Sequence, residues 1–200
     1  MTTNTKVINR PADEQSYGQR IEPGAVRFER LLPGPIERVW SYLVDSDKRV
    51  LWLASGAMPG SAGADFDFRF DHKNLSPGNR PTPERFKGYD GGATTHHKVL
   101  RFEPPHVLAI TWGGRVESPS EVTFELFAVG DKVRLVLTHR RLSDGYQTVD
   151  VSGGWHTHLQ FLEAHLSGQA LPSFWDVFAD KEQEYGKRYG VPIGVPSRSE

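Results

Sequence analysis

Asp65-Phe66-Asp67-Phe68-Arg69-Phe70 is the stretch on which the fold turns. Aromatic and charged residues alternate through all six positions. A strand projects successive side chains to opposite faces, so the three phenylalanines share one face, while Asp65, Asp67 and Arg69 share the other. This period of two belongs to a half-buried strand in an antiparallel sheet with one wet face.

The same period recurs downstream. Thr95–Phe102 places Leu100 and Phe102 together, and Glu103-Pro104-Pro105 turns the chain. His106–Trp112 sends Leu108, Ile110 and Trp112 inward, and Glu121–Phe127 does so with Val122, Phe124 and Leu126. After a tight turn at Gly130-Asp131, Lys132–Arg140 carries Val133, Leu135 and Leu137. Strands joined by short turns predict an antiparallel meander. Upstream, Val26 and Phe28 alternate with Arg27 and Glu29 in a first strand that Pro33-Gly34-Pro35 ends. Ile36, Val39, Trp40 and Leu43 then follow at helical spacing, and Asp45 or Ser46 caps a second short helix.

After the last strand, Trp155, Leu159, Leu162 and Leu166 form a helical stripe from about Val149 to Ser167, with Gly168 as the stop. Phe174–Tyr189 is a further amphipathic segment. Residues 1–24 read as a flexible arm, 25–170 as one domain, and 171–200 as a helical extension and tail. Residues 72–92 form a long insertion of the kind that serves as a lid or a mobile loop. The class is α+β: a curved antiparallel sheet with one apolar face, covered by the long late helix, with two short helices after the first strand. A curved sheet gripping a helix leaves a cavity between them.

Composition excludes several functions. The chain has 200 residues and no cysteine, which rules out disulfides, thiolate metal sites and a cysteine nucleophile. A net charge of −1 with mixed signs gives no electrostatic footprint for nucleic acid. No apolar run is long enough to span a bilayer, so a cytoplasmic protein without membrane insertion is expected. Nucleophile-elbow, phosphate-loop and dinucleotide motifs are absent. His156, His158 and His165 stand at spacings that do not converge on one ion, and adjacent His96 and His97 face opposite ways on a strand. Neither a metal nor a cofactor is expected.

Following the inward parity gives a candidate cavity. Phe66, Phe68, Phe70, Leu100, Trp112, Phe124, Leu137, Trp155, Leu159 and Leu162 would line it. Extending the row of Phe102 backward reaches Lys98 and His96, and extending the row of Leu137 forward reaches His139. His158 falls on the same helix side as Trp155 and Leu162. His96, His139 and His158 are therefore the candidate polar anchors of a mostly apolar ligand site.

The segment Arg27-Phe28-Glu29-Arg30-Leu31-Leu32-Pro33-Gly34-Pro35-Ile36-Glu37-Arg38-Val39-Trp40 resembles the opening of START-like (SRPBCC) proteins of the heat-shock-protein-90 ATPase activator homologue family. Phe102-Glu103-Pro104-Pro105, Ile110-Thr111-Trp112, Leu137-Thr138-His139-Arg140-Arg141-Leu142 and Gly153-Gly154-Trp155 follow in the family's order. The resemblance spans roughly residues 25 to 170. It implies the helix-grip fold of START and Bet v-like proteins. It also implies a binder of an apolar or aromatic small molecule, in single-domain form, with a homodimer left open. Two alternatives stay open: a chaperone-associated stress protein acting through its surface, and a cyclase- or hydrolase-type enzyme using a cavity histidine. In the co-chaperone that names the family, a separate chaperone-binding domain precedes this one. Here only a polar arm does, so direct chaperone contact is not expected.

Overall fold

Seven strands form one antiparallel sheet: β1 (Gln19–Glu22), β2 (Ala25–Pro33), β3 (Asp65–Phe70), β4 (Ala93–Glu103), β5 (Val107–Arg115), β6 (Ser118–Val129) and β7 (Lys132–Arg140). The computed structural model describes residues 16–76, 78, 81–115 and 118–193. Strand order is β1-β2-β7-β6-β5-β4-β3, and the sheet is curved. Two short helices, α1 (Ile36–Val44) and α2 (Ser46–Arg49), follow β2. The long α3 (Gly145–Ser167) lies across the inner face, and α4 (Phe174–Tyr189) packs on α3. This is the expected helix-grip architecture.

Register turns the sequence periodicity into rows of inward side chains. Phe28, Leu137, Phe124, Leu108 and Phe102 stand opposite one another across five strands. The next row is Val26, His139, Val122, Ile110 and Val99. Two positions separate these rows on β5 but three on β4, so β4 carries one extra residue at a bulge between Val99 and Arg101. A bulge of this kind inverts the parity of everything beyond it. His97, Thr95 and Ala93 consequently share the inner face, opposite Phe66, Phe68 and Phe70 of β3. His96 and Lys98 lie on the outer face, where they pair with Asp67 and Asp65, each at 2.6 Å.

The helix α3 begins at Gly145, earlier than its apolar stripe suggests. Asp144 accepts the Gln147 N–H at 2.7 Å, and the Gln147 side chain accepts the Ser143 N–H at 2.6 Å. The first contact satisfies one first-turn donor, and the second ties the residue before the cap to the helix. The helix ends at Gly168, whose φ of +66° suits glycine. Two adjacent glycines divide its upper half. A Cβ on Gly153 would lie 3.3 Å from the Glu182 backbone nitrogen of α4, whereas one on Gly154 would meet nothing within 4 Å. Gly153 thus permits close helix packing, and Gly154 borders open space.

One buried cation holds the short helices. Arg49 is 1% exposed and donates to the Val44 carbonyl at 2.8 Å, to the Leu43 carbonyl at 3.2 Å and to the Gly56 carbonyl. It thereby satisfies the last carbonyls of α1, and its guanidinium carbon stands 4.6 Å from the Phe68 ring centroid.

Part of the segment expected as a flexible arm, 1–24, is built into the sheet. Residues 19–22 pair with β2, and Gly18 is held on both of its peptide groups. Its N–H donates to the Tyr185 hydroxyl at 2.6 Å, and its carbonyl accepts from Tyr189 at 3.2 Å. Tyr185 in turn donates to His156 Nδ1 at 3.1 Å. The unpatterned sequence gave no sign of this anchoring because its partners come from α4. Residues 1–15 of the expected arm and 194–200 of the expected tail lie outside the described residues. Among the described residues, no helix is long and apolar enough to cross a membrane.

Candidate functional site

A cleft of about 300 Å³ opens where the β3–β4–β5 end of the sheet meets α3 and α4. Its sheet wall is Phe70, Ala93, Thr95, His97 and Trp112. The α3 wall is Asp150, Val151, Gly154, Trp155 and His158, and the α4 wall is Phe174, Trp175 and Phe178. His72, Phe86 and Tyr89 from the insertion close the remaining side. Aromatic rings dominate. Trp112 and Trp155 have centroids 4.7 Å apart, Phe70 meets Trp112 edge-on at 5.8 Å, and Phe86 stacks on Trp175 at 5.2 Å. The rim carries Arg85, which pairs with Glu182 at 2.5 Å and approaches Asp150 at 3.8 Å, tying the insertion to α4 and α3.

The histidines around this cleft have proton positions fixed by their neighbours. Trp155 donates its indole N–H to His139 Nδ1 at 2.9 Å, so the His139 proton sits on Nε2 and is donated to Ser120 Oγ at 2.8 Å. Ser120 passes its own proton to the Trp112 carbonyl. His97 donates from Nδ1 to the Thr111 carbonyl at 2.8 Å, which leaves Nε2 to accept from the Thr95 hydroxyl at 2.6 Å. His158 donates from Nδ1 to the Trp52 carbonyl at 2.6 Å. A carbonyl can only accept, so each of these tautomers follows from the contacts. Burial disfavours the charged imidazole and lowers His139 and His158 to about 3 and His72 to about 4; His97 is shifted down for the same reason. At neutral pH these rings act as uncharged hydrogen-bonding groups, poorly matched to general-base work.

The structure brings four of the sequence-derived candidates to the cleft: Phe70, Trp112, Trp155 and His158. Phe66 and Phe68 occupy the same sheet face but are buried beside it, against His97. Phe124, Leu137, Leu159 and Leu162 are core residues away from the cleft, and Phe124 supports Trp155 edge-on at 5.8 Å. Three assignments need correction. His96 is on the outer face with Asp67, and Leu100 sits at the bulge, both because the β4 bulge reverses parity. His139 is fully buried with both nitrogens engaged, so it orients Trp155 and cannot anchor a ligand.

Sequence reasoning missed His97 and Thr95, which the bulge turned inward, and Gly154. It also missed the wall of Phe174, Trp175 and Phe178, although these aromatics stood at helical spacing one turn apart. Phe86 and Tyr89, aromatic rings in a polar insertion, were the available signal for the fourth side. Among the described residues, no group of three or more metal-ligating side chains converges.

Known proteins resemble this chain in sequence and shape. A Bordetella parapertussis protein of known solution structure is 48% identical, covers 92% of this chain and 95% of its own, and superposes with a TM-score of 0.76. CalU16 from Micromonospora echinospora has 22% identity and a TM-score of 0.59, over 86% of this chain and 94% of its own. DynU16, a protein in the dynemicin biosynthetic locus, has 18% identity and a TM-score of 0.55, over 76% of this chain and 50% of its own. The latter two likenesses speak for the fold alone. No curated protein matches. The family model described as activator of Hsp90 ATPase homolog 1-like protein matches residues 33–167, from the end of β2 to the end of α3. Both short helices, the sheet from β3 to β7 and the long covering helix fall inside that match, and the chain belongs to this family.

Proposed function

We propose that this protein binds a small, planar and largely apolar molecule in the cleft between the sheet, α3 and α4. The carrying observation is the cleft itself: a space of about 300 Å³ walled by Phe70, Trp112, Trp155, Phe174 and Trp175, and widened by the missing side chain of Gly154. Aromatic walls offer large contact faces, and a few fixed polar groups supply orientation. The neutral, hydrogen-bonded histidines favour recognition over acid–base chemistry.

Gly154→Phe tests the reading. Its Cβ would meet nothing within 4 Å and its ring would occupy the cleft, and glycine in a helix interior is itself destabilising, by about 0.5–1 kcal/mol relative to alanine. The neutral fluorescent probe N-phenyl-1-naphthylamine should bind the parent protein at micromolar strength and lose that binding in the variant, with thermal unfolding undiminished. Equal binding by both would place the probe elsewhere. The outer-face patch of Leu31, Phe127 and Val129, each 40–52% exposed, would then become the site to pursue, in favour of a surface-acting protein.

A further inference from the structure

We propose that His158 selects the ligand, admitting planar molecules that carry a neutral hydrogen-bond donor such as a phenolic hydroxyl and disfavouring those that cannot donate. The inference rests on the cleft being the binding site.

His158 is 6% exposed and belongs to the α3 wall. Its Nδ1 proton is committed to the Trp52 carbonyl at 2.6 Å. The lone pair therefore resides on Nε2, for which the described residues supply no donor. Nε2 is not among the buried unpartnered atoms and His158 lines the cleft, so a ligand donor placed against it gains a hydrogen bond that a ligand without a donor forfeits. Across the cleft, the Thr95 hydroxyl has given its proton to His97, whose other nitrogen is held by the Thr111 carbonyl. Thr95 consequently also presents lone pairs. Two walls thus offer acceptors whose proton positions neither residue can reverse without breaking a contact to a backbone carbonyl.

The neighbouring rings define how such a ligand lies. Phe174 approaches the His158 ring with centroids 5.1 Å apart, and Trp155 lies at 6.4 Å. A flat molecule lying against these faces brings an edge substituent toward the imidazole. An ether of the same outline fills the same space but leaves Nε2 unpaired. The discrimination is therefore chemical, not steric.

The test compares 1-naphthol with 1-methoxynaphthalene by calorimetry. Naphthol should bind the parent protein about tenfold more tightly, the contribution of one buried neutral hydrogen bond. His158→Phe keeps an aromatic ring and should bring the two affinities together. Because that variant also strips the Trp52 carbonyl of its donor, a second readout keeps the test independent of its folding: the nitrogen-15 resonance of His158 Nε2 in the parent protein should move with naphthol and stay in place with the ether. Equal affinities with an unmoved resonance would overturn the selection while leaving the cleft as a binding site. Failure of both compounds to bind would overturn the cleft reading, and the selection with it.

Discussion

Trp155 is bound to His139 through one hydrogen bond of 2.9 Å, from indole nitrogen to Nδ1, and both side chains are at most 3% exposed. His139 occupies the middle of a row otherwise made of valine and isoleucine. The pair therefore fixes α3 on the sheet at one place, where apolar packing alone would tolerate sliding. Trp155→Phe keeps most of the volume but orphans Nδ1, and it should cost about 1–3 kcal/mol. Trp155→Ala adds the loss of packing and should cost about 3–5 kcal/mol. Urea denaturation gives both values, and a Trp155→Phe variant as stable as the parent would mean that the hydrogen bond contributes nothing.

Acid should weaken the fold earlier than carboxylate titration would. His139, His156 and His158 are each held by burial at about 3, against 6.5 for an unperturbed ring. Below pH 6.5 the unfolded chain takes up protons that the native state refuses, so their stabilisation is complete above that pH and is lost as pH falls toward 3. Each ring contributes up to about 1.4 kcal/mol per pH unit in this window. Stability from urea titrations should be flat from pH 7.5 to 8.5 and drop steeply between pH 6 and 4.5. A level profile through that lower range would show that these rings are charged or accessible in the native protein.

Gly153 and Gly154 should answer substitution in opposite ways. Replacement of Gly153 by leucine drives a side chain into the Glu182 backbone, 3.3 Å from the site of its Cβ, and should destabilise by about 1–3 kcal/mol as other overpacked contacts do. Leucine at Gly154 should be neutral or mildly stabilising. Thermal melts of the two variants side by side decide the matter, because identical melts would mean that α4 does not pack where Gly153 places it.

Arg49 is a structural cation. Arg49→Met fills a similar volume but leaves the carbonyls of Leu43, Val44 and Gly56 without their donor, and should cost about 3 kcal/mol. Lysine should restore only part of this, since a single ammonium cannot reproduce the guanidinium fork. Full rescue by lysine, measured by denaturation, would show that charge alone suffices there.

Much of the architecture could be read in the chain because its strands are half-buried and their alternation is strict. Asp65–Phe70 matches its observed burial residue for residue. The failure at β4 is instructive. Thr94-Thr95-His96-His97 is doubled, so a slip of one residue replaces a threonine with a threonine and a histidine with a histidine. No composition rule can choose between these parities; only the bulge near Leu100 does. Half of the cleft was hidden for another reason. Its α4 wall and insertion wall are joined to the sheet by tertiary contacts, such as Phe86 on Trp175 and Arg85 on Glu182, whose partners lie far apart in the chain.

The family match ends at Ser167, yet Phe174, Trp175 and Phe178 stand beyond it and complete the cleft. The cleft is therefore built by two stretches of sequence, α3 with His158 inside the family match and a terminal helix beyond it. The extension is not free to drift, because Phe174, Trp175 and Phe178 belong to the buried core as well as to the cleft wall. Exchange of residues 171–193 would therefore reshape one wall of the cleft and disturb the contacts that Gly153 and His156 make with α4 at the same time.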